Sequence, residues 1–196
     1  SQLEINVQQV SNSTHVKIHD INSILVDNDM SVLENTIDYE YINEDFFLGV
    51  NVSAFENLAQ KNNSKYEYLL PDITLEKNLL TTDNLGVLDL SSRLQVKNYE
   101  VDKQIELFVN DFLWDSNKWV GNFGLENQLK GIIKTSNYNA TNTKKFKNEN
   151  NNSMVAGALG ILSKLDFYKD NINKSRRHFL TPKVFLRHAP GHMRSD

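Results

Sequence analysis

The sequence predicts an all-β protein, an antiparallel meander of about ten long strands. Three observations carry that expectation. Apolar residues recur with period two rather than 3.6 along most of the 196 residues, and successive side chains of a strand point to opposite faces. Polar turn-forming clusters separate the runs; 26 Asn against 8 Gly and 3 Pro make Asn the main supplier of turn chemistry. No stretch of ordinary helix length has helical spacing. The mildest helical pattern lies at 54–61.

The runs are as follows. Leu3, Ile5 and Val7 alternate with Glu4, Asn6 and Gln8, and Val16 and Ile18 with Lys17 and His19. Over 33–41, Leu33, Ile37, Tyr39 and Tyr41 face one way and Glu34, Thr36, Asp38 and Glu40 the other. Phe46, Leu48, Val50 and Val52 form the next face. A strand over 66–79 is expected to break near Pro71, which has no N–H for a ladder. Over 87–99, Leu88, Leu90, Leu94 and Val96 alternate with Asp89, Ser91, Arg93, Gln95 and Lys97. Ile105, Leu107 and Val109 open a strand reaching Trp114. One long strand is expected over 119–133, with Trp119, Phe123, Leu125, Leu129 and Ile133 on one face. Val155, Leu159, Ile161, Leu165 and Phe167 make another, and Leu180, Val184 and Leu186 the last, with Pro182 inside it. Connectors fall at 11–13, 27–29, 43–45, 57–64, 81–84, 100–103, 116–118, 139–153 and 169–177.

Composition removes several function classes. Charged residues are 23% and the net charge is −4, with a pI near 5.7, which argues against a nucleic-acid binder. The absence of cysteine excludes disulfides, cysteine nucleophiles and cysteine-ligated zinc. No run of 18 apolar residues exists, so no transmembrane helix is expected. The chain opens on Ser1 with the alternation already running at Leu3, and is expected to be an internal piece of a larger protein.

Two features reach past the fold class. The runs at 87–99 and 119–133 exceed the common strand length and match the 9–11 residues of a tilted membrane-crossing strand. Aromatics also gather beside turns: Tyr39, Tyr41, Phe46 and Phe47 around 43–45, Trp114 and Trp119 around 115–118, and Tyr66, Tyr99 and Tyr168 at other ends. Transmembrane barrels carry such girdles, but Trp and Tyr are also good strand formers. A membrane barrel and a soluble β-sandwich or solenoid both fit at this level. Short turns coexist with long polar loops without assigning sides.

No catalytic, cofactor or metal site is expected. His15 and His19, four apart on an expected strand, would stand about 13 Å apart, too far to share a metal ion. His188 and His192 straddle Pro190 and Gly191 with no carboxylate or thiol to complete a site, and His178 is isolated. Gly157 and Gly160 lack the third glycine and the helix of a dinucleotide fingerprint. Together with Ala156 and Ala158 they read as small residues within a strand. Asp111 with Asp115, and Glu34 with Asp38, read as wet strand faces rather than acid–base pairs. Sequons at Asn12, Asn51 and Asn139 are expected by chance in a chain so rich in Asn. Lys174, Arg176 and Arg177 read as a solvated loop whose chemistry also suits anionic head groups, and Lys144, Lys145 and Lys147 read likewise. No Ser-His-Asp or Gly-x-Ser-x-Gly pattern is present, so the protein is not expected to be an enzyme.

Five stretches, in order, resemble one family. Residues 84–99 read Asn-Leu-Gly-Val-Leu-Asp-Leu-Ser-Ser-Arg-Leu-Gln-Val-Lys-Asn-Tyr, and 108–114 read Phe-Val-Asn-Asp-Phe-Leu-Trp. Residues 66–71 read Tyr-Glu-Tyr-Leu-Leu-Pro, and 159–169 Leu-Gly-Ile-Leu-Ser-Lys-Leu-Asp-Phe-Tyr-Lys. The most specific, 179–194, is Phe-Leu-Thr-Pro-Lys-Val-Phe-Leu-Arg-His-Ala-Pro-Gly-His-Met-Arg. This ordered set, with the strand–turn–strand opening at 1–18, resembles the barrel of the lipopolysaccharide-assembly family LptD. The resemblance implies that 1–196 is part of an outer-membrane barrel of roughly 26 strands, without the periplasmic domain or the barrel's first and last strands. It implies location in the cell outer membrane and a role as the wall through which lipopolysaccharide reaches the outer leaflet. It also implies three partners: an LptE-like lipoprotein plug, the periplasmic lipopolysaccharide-transport bridge, and lipopolysaccharide itself. The family's disulfides cannot form in a chain without cysteine. On this reading each strand's apolar set faces lipid and the polar set, with Arg93, Lys97, Glu126 and Lys130, faces a wet lumen. Ten strands cannot close at that diameter, so the piece alone is not expected to be stable.

Overall fold

The computed structural model describes residues 1–12, 14–20, 31–60, 63–143, 152–171 and 176–191. Among these the protein is all-β. Its strands are β1 (Gln2–Asn6), β2 (Val32–Asn43), β3 (Phe46–Asn57), β4 (Tyr66–Thr82), β5 (Gly86–Tyr99), β6 (Lys103–Asp115), β7 (Trp119–Val120), β8 (Glu126–Thr141), β9 (Asn152–Lys164), β10 (Phe167–Asn171), β11 (Arg176–Leu180) and β12 (Lys183–His188). One ten-stranded sheet runs β1-β2-β3-β4-β5-β6-β8-β9-β12, with β7 paired to β8, while β10 and β11 pair with each other. From β1 to β6 chain neighbours are sheet neighbours, while β12 pairs with β9 across the β10–β11 hairpin. The sheet is not closed into a barrel: β1 and β12 stand at its two edges.

The β2–β3 hairpin is the most regular part. Twelve consecutive pairs run from Val32↔Asn57 to Asn43↔Phe46 around a two-residue turn. β3 continues into β4 with one register shift between Asn51 and Ser53, where Asn51↔Asp72 gives way to Ser53↔Leu69. Pro71 lies in that irregularity, where its missing N–H costs no ladder bond. The expected break at Pro71 is thus a bulge within an unbroken β4. β1 pairs β2 over five residues, and just beyond it Gln8 takes over. Its backbone N–H donates to Asn35 Oδ1 (2.7 Å), and its side-chain Oε1 accepts the Glu34 N–H (2.9 Å).

Four further expectations change. The run at 16–18 is a helical turn, α1 (His15–Ile18). Asn12 Oδ1 accepts from both the N–H and the hydroxyl of Thr14 just before it, a local bond that competes with a ladder. The mildly helical 54–61 is strand as far as Asn57, followed by a turn in which Asn57 Oδ1 accepts the Ala59 N–H; Lys61 lies outside the described residues. The single strand at 119–133 is two. Phe123 and Gly124 take positive φ (63° and 80°), the Gly121 N–H donates to Leu125 O, and β7 folds back so that Trp119 opposes Asn127. The single strand is therefore a reversal, yet Trp119, opposite Asn127, still stands on the side of Leu129 and Ile133. Finally, the last two runs divide at Asp166 and Pro182: β9 and β10 lie either side of 165–166, β11 and β12 either side of 181–182.

The chain forms two compact units. One comprises Ser1–Lys77, Ser91–Asn110 and Ser136–Ser153, the other Asn78–Leu90, Asp111–Thr135 and Met154–Asp196. Neither has a conventional core. Leu33 and Ala140 are the buried hydrophobic residues among those described, while many large apolar side chains are exposed.

Candidate functional site: the two faces of the sheet

In the first unit the pairing sorts side chains cleanly. Leu3 opposes Tyr39 and Ile5 opposes Ile37, Tyr39 opposes Val50 and Tyr41 opposes Leu48, and Leu48 and Val50 oppose Leu75 and Ile73. Directly opposed residues share a face, so these make one continuous apolar surface over four strands. It is open to its surroundings: Leu3 is 62% and Ile37 47% exposed. Among the described residues no second sheet seals it, as a sandwich would require.

The other face of this unit is a polar lattice. Asn51 donates to Asp38 (2.5 Å) and accepts from the Ser53 hydroxyl (2.6 Å). Asp72 takes both arms of the Arg93 guanidinium (2.9 and 2.6 Å) and the Gln95 amide (2.7 Å), a forked pairing with geometric specificity. Lys97 pairs with Glu67 at 2.5 Å. Beyond the strands, Lys65 bonds Glu56 at 2.6 Å. That bond, and after it one with Tyr66, hold its ammonium above the ordinary lysine range.

The expectation that all apolar sets share a side fails at β6. Ser92 donates to Asn110, which places Asn110, Phe108 and Glu106 on the side of Leu94 and Val96. Period two then puts Ile105, Leu107 and Val109 with Arg93, Gln95 and Lys97. Leu94, Phe108 and Tyr138 line one shallow depression on the first of these sides.

The second unit sorts less cleanly, with charged and large apolar side chains sharing one side. Lys130 pairs with Asp115 (2.5 Å) and Lys134 with Asp111 (3.0 Å). Glu126 holds both Lys118 (3.1 Å) and Lys164 (3.2 Å). Asp89, Lys130 and Arg187 line an open groove with Leu113, Ile132 and Phe185. Trp114 donates its indole N–H to Leu85 O at 2.8 Å, and its ring lies over Gly131. Val184 opposes Ser163 and Leu186 opposes Ile161, with Val184, Leu186 and Leu159 more than half exposed.

The residues singled out from sequence do not converge. Asp111 and Asp115 each hold a separate lysine; Asp38 bonds Asn51, and Glu34 meets Gln8 through its backbone. His15 and His19, on one helical turn, have ring centroids 4.6 Å apart rather than 13 Å. Among the described residues no three His, Cys, Asp or Glu side chains gather closely enough to hold a metal ion. Gly157 and Gly160 lie inside β9. Asn51 and Asn139 lie in β3 and β8, and Asn12 precedes the helical turn. His178 and Arg177 lie on β11, and His188 ends β12. Ser13, Lys144, Lys145, Lys147, Lys174 and His192 fall outside the described residues. Sequence reading missed the Asp72 hub, whose partners lie 21 and 23 positions away; the signal lay in β4–β5 register, which alternation alone does not reveal.

No protein-family model matches this chain, and no curated protein is found similar to it.

Proposed function

We propose that this chain is part of the wall of a transmembrane β-barrel, apolar outside and wet inside. Within that class we read it as a section of an outer-membrane barrel that passes lipopolysaccharide to the cell surface, similar to the LptD family. The observation that carries the class is the uncovered apolar face. Strands β2 to β4, of 12 to 17 residues, present aliphatic and aromatic side chains to their surroundings on one side and the Asp38–Asn51 and Asp72–Arg93 bonds on the other. In water that arrangement leaves its hydrophobic area unspent; in a bilayer the first side meets hydrocarbon and the second a hydrated lumen. The ordered motifs at 66–71, 84–99, 108–114, 159–169 and 179–194 support the narrower reading. The function is then shape and wetness rather than catalysis, with an LptE-like lipoprotein and the periplasmic bridge as partners.

A chain without cysteine makes the test clean. Spin labels on Leu90→Cys and Gln95→Cys, in chain refolded into vesicles, should separate: the first quenched by lipid-dissolved oxygen, the second by a water-soluble nickel chelate. Equal access of both labels to the chelate, or recovery of the chain as a monomer without detergent, sinks the barrel reading. For the narrower reading, a photo-crosslinker replacing Arg93 should capture lipopolysaccharide in cells and one replacing Leu90 should not. Capture at neither or at both positions would remove it.

A further inference from the structure

The β10–β11 hairpin belongs to neither face. It continues β9 and β12 in the same register: Phe167↔Leu180 to Asn171↔Arg176 follow from Lys183↔Lys164 across a two-residue bend. The bend is held by the Leu165 N–H on Pro182 O (3.2 Å) and the Thr181 hydroxyl on Asp166 (2.6 Å). Beyond it the two strands pair with each other and with no other strand among the described residues. A lone hairpin is marginal in water. This one is also unusually exposed: Phe167 50%, Tyr168 74%, Phe179 72% and Leu180 67%.

Its side chains are sorted along the hairpin axis rather than between its faces. Next to the bend stand Phe167↔Leu180 on one face and Tyr168↔Phe179 on the other, an apolar collar on both sides. One step further out stand Lys169↔His178 and then Arg177 opposite Asp170, with Arg176 after them. The Arg177 guanidinium lies 6.0 Å from the Phe179 ring centroid, a distance at which a cation draws on a ring's π face. The two strands hold three Lys or Arg against one Asp, a local charge of +2 in a chain whose total is −4. A protein partner would cover one face and leave the other polar. Bands running around both faces match a layered medium instead: aromatic and aliphatic side chains at the hydrocarbon boundary, cations at the phosphate level.

We propose that β10–β11 is an arm that docks on an anionic lipid surface, its collar at the acyl boundary and Lys169 and Arg177 on headgroup phosphates. The proposal does not rest on the barrel reading, since such an arm would hold a non-inserted sheet against a membrane as well.

The full chain, refolded in detergent and diluted into vesicles, is floated with phosphatidylcholine alone and with phosphatidylcholine mixed with phosphatidylglycerol. Wild type should prefer the anionic vesicles, and added salt should abolish the preference. Lys169→Gln with Arg177→Gln should lower it by about fivefold for each basic residue removed, whereas Lys169→Arg with Arg177→Lys should keep it. Inorganic phosphate at equal ionic strength should compete no better than chloride. An equal distribution between the two vesicle types, a salt-independent preference, an undiminished preference in the Gln variant or release by phosphate alone would each overturn the arm. The salt titration reads the wild-type chain, so a variant that fails to fold leaves the test intact. Binding to anionic vesicles with none to neutral ones would uphold the arm and tell against the barrel.

Discussion

The β2–β3 hairpin and the β9–β12 hairpin begin from the same pattern and end differently. In the first, twelve pairs run unbroken from the open ends to a two-residue turn, and Glu34, Asp38 and Glu40 lie opposite the side of Ile37, Tyr39 and Tyr41. In the second, the ladder keeps its register but bends at Asp166 and Pro182, and beyond the bend the sorting turns from faces to bands. Residues sorted by face suit a boundary lying parallel to the sheet; residues sorted along the axis suit one lying across it.

The sharpest way to break this comparison is to place a cation in each region. On the barrel reading, Val50→Arg on the apolar face of β3 should cost about 2–4 kcal/mol if it lies near the membrane midplane. Tyr168→Arg on the arm, at the interfacial level the collar would occupy, should cost no more than about 1 kcal/mol. Refolding titrations in vesicles read both. Equal costs would erase the distinction between wall and arm.

Glycine substitutions give a smaller effect of the same kind. A Cβ on Gly160 would stand 2.7 Å from Phe185 Cζ and 2.9 Å from the Leu186 carbonyl oxygen, which is backbone and cannot swing aside. Gly160→Ala should destabilise the β9–β12 pairing by about 1–3 kcal/mol. On β3, Gly49→Ala meets only the end of the Phe47 ring at 3.1 Å, which a small rotation relieves, so its thermal midpoint should stay close to wild type. A loss at Gly49 matching that at Gly160 would mean that the regular hairpin is the more tightly packed.

The smallest effect is one of pH at the bend. The Thr181 hydroxyl, and less strongly Lys164, hold the Asp166 carboxyl below the ordinary aspartate range. A carboxyl with a depressed native pKa stabilises the fold above its unfolded pKa, and that contribution fades as pH falls through the native value. Thr181→Val should therefore move the Asp166 carboxyl carbon titration upward, toward the unperturbed position near 3.9. An unmoved midpoint would show that the bend is not held there.

These contrasts mark how much could be read from the residues. Period two predicted β2 and β5 closely, and β3 as far as Val52, because their polar and apolar sets alternate with few exceptions and their turns carry Asn or Asp. It failed where the chain reverses without disturbing the count, as at Phe123 and Gly124, and where a side-chain bond outbids the ladder, as at Asn12. It predicted each strand's two faces but not which faces meet. That depends on register, so β6 carries Ile105, Leu107 and Val109 to the side of Arg93. The Asp72 hub was hidden for the same reason: which residue of β5 meets Asp72 depends on how the two strands are paired, and alternation within each strand does not say that.

Gln8 has a consequence for how strands are counted off at an edge. A glutamine side chain ends in the same amide group that joins residues, so its Oε1 accepts the Glu34 N–H as a peptide carbonyl would. A true peptide there would lead to another residue and invite further pairing with a foreign chain, the hazard of any open sheet margin. A side-chain amide leads nowhere. It closes that donor in one residue, so a stray strand reaching this stretch of β2 finds the Glu34 N–H already taken.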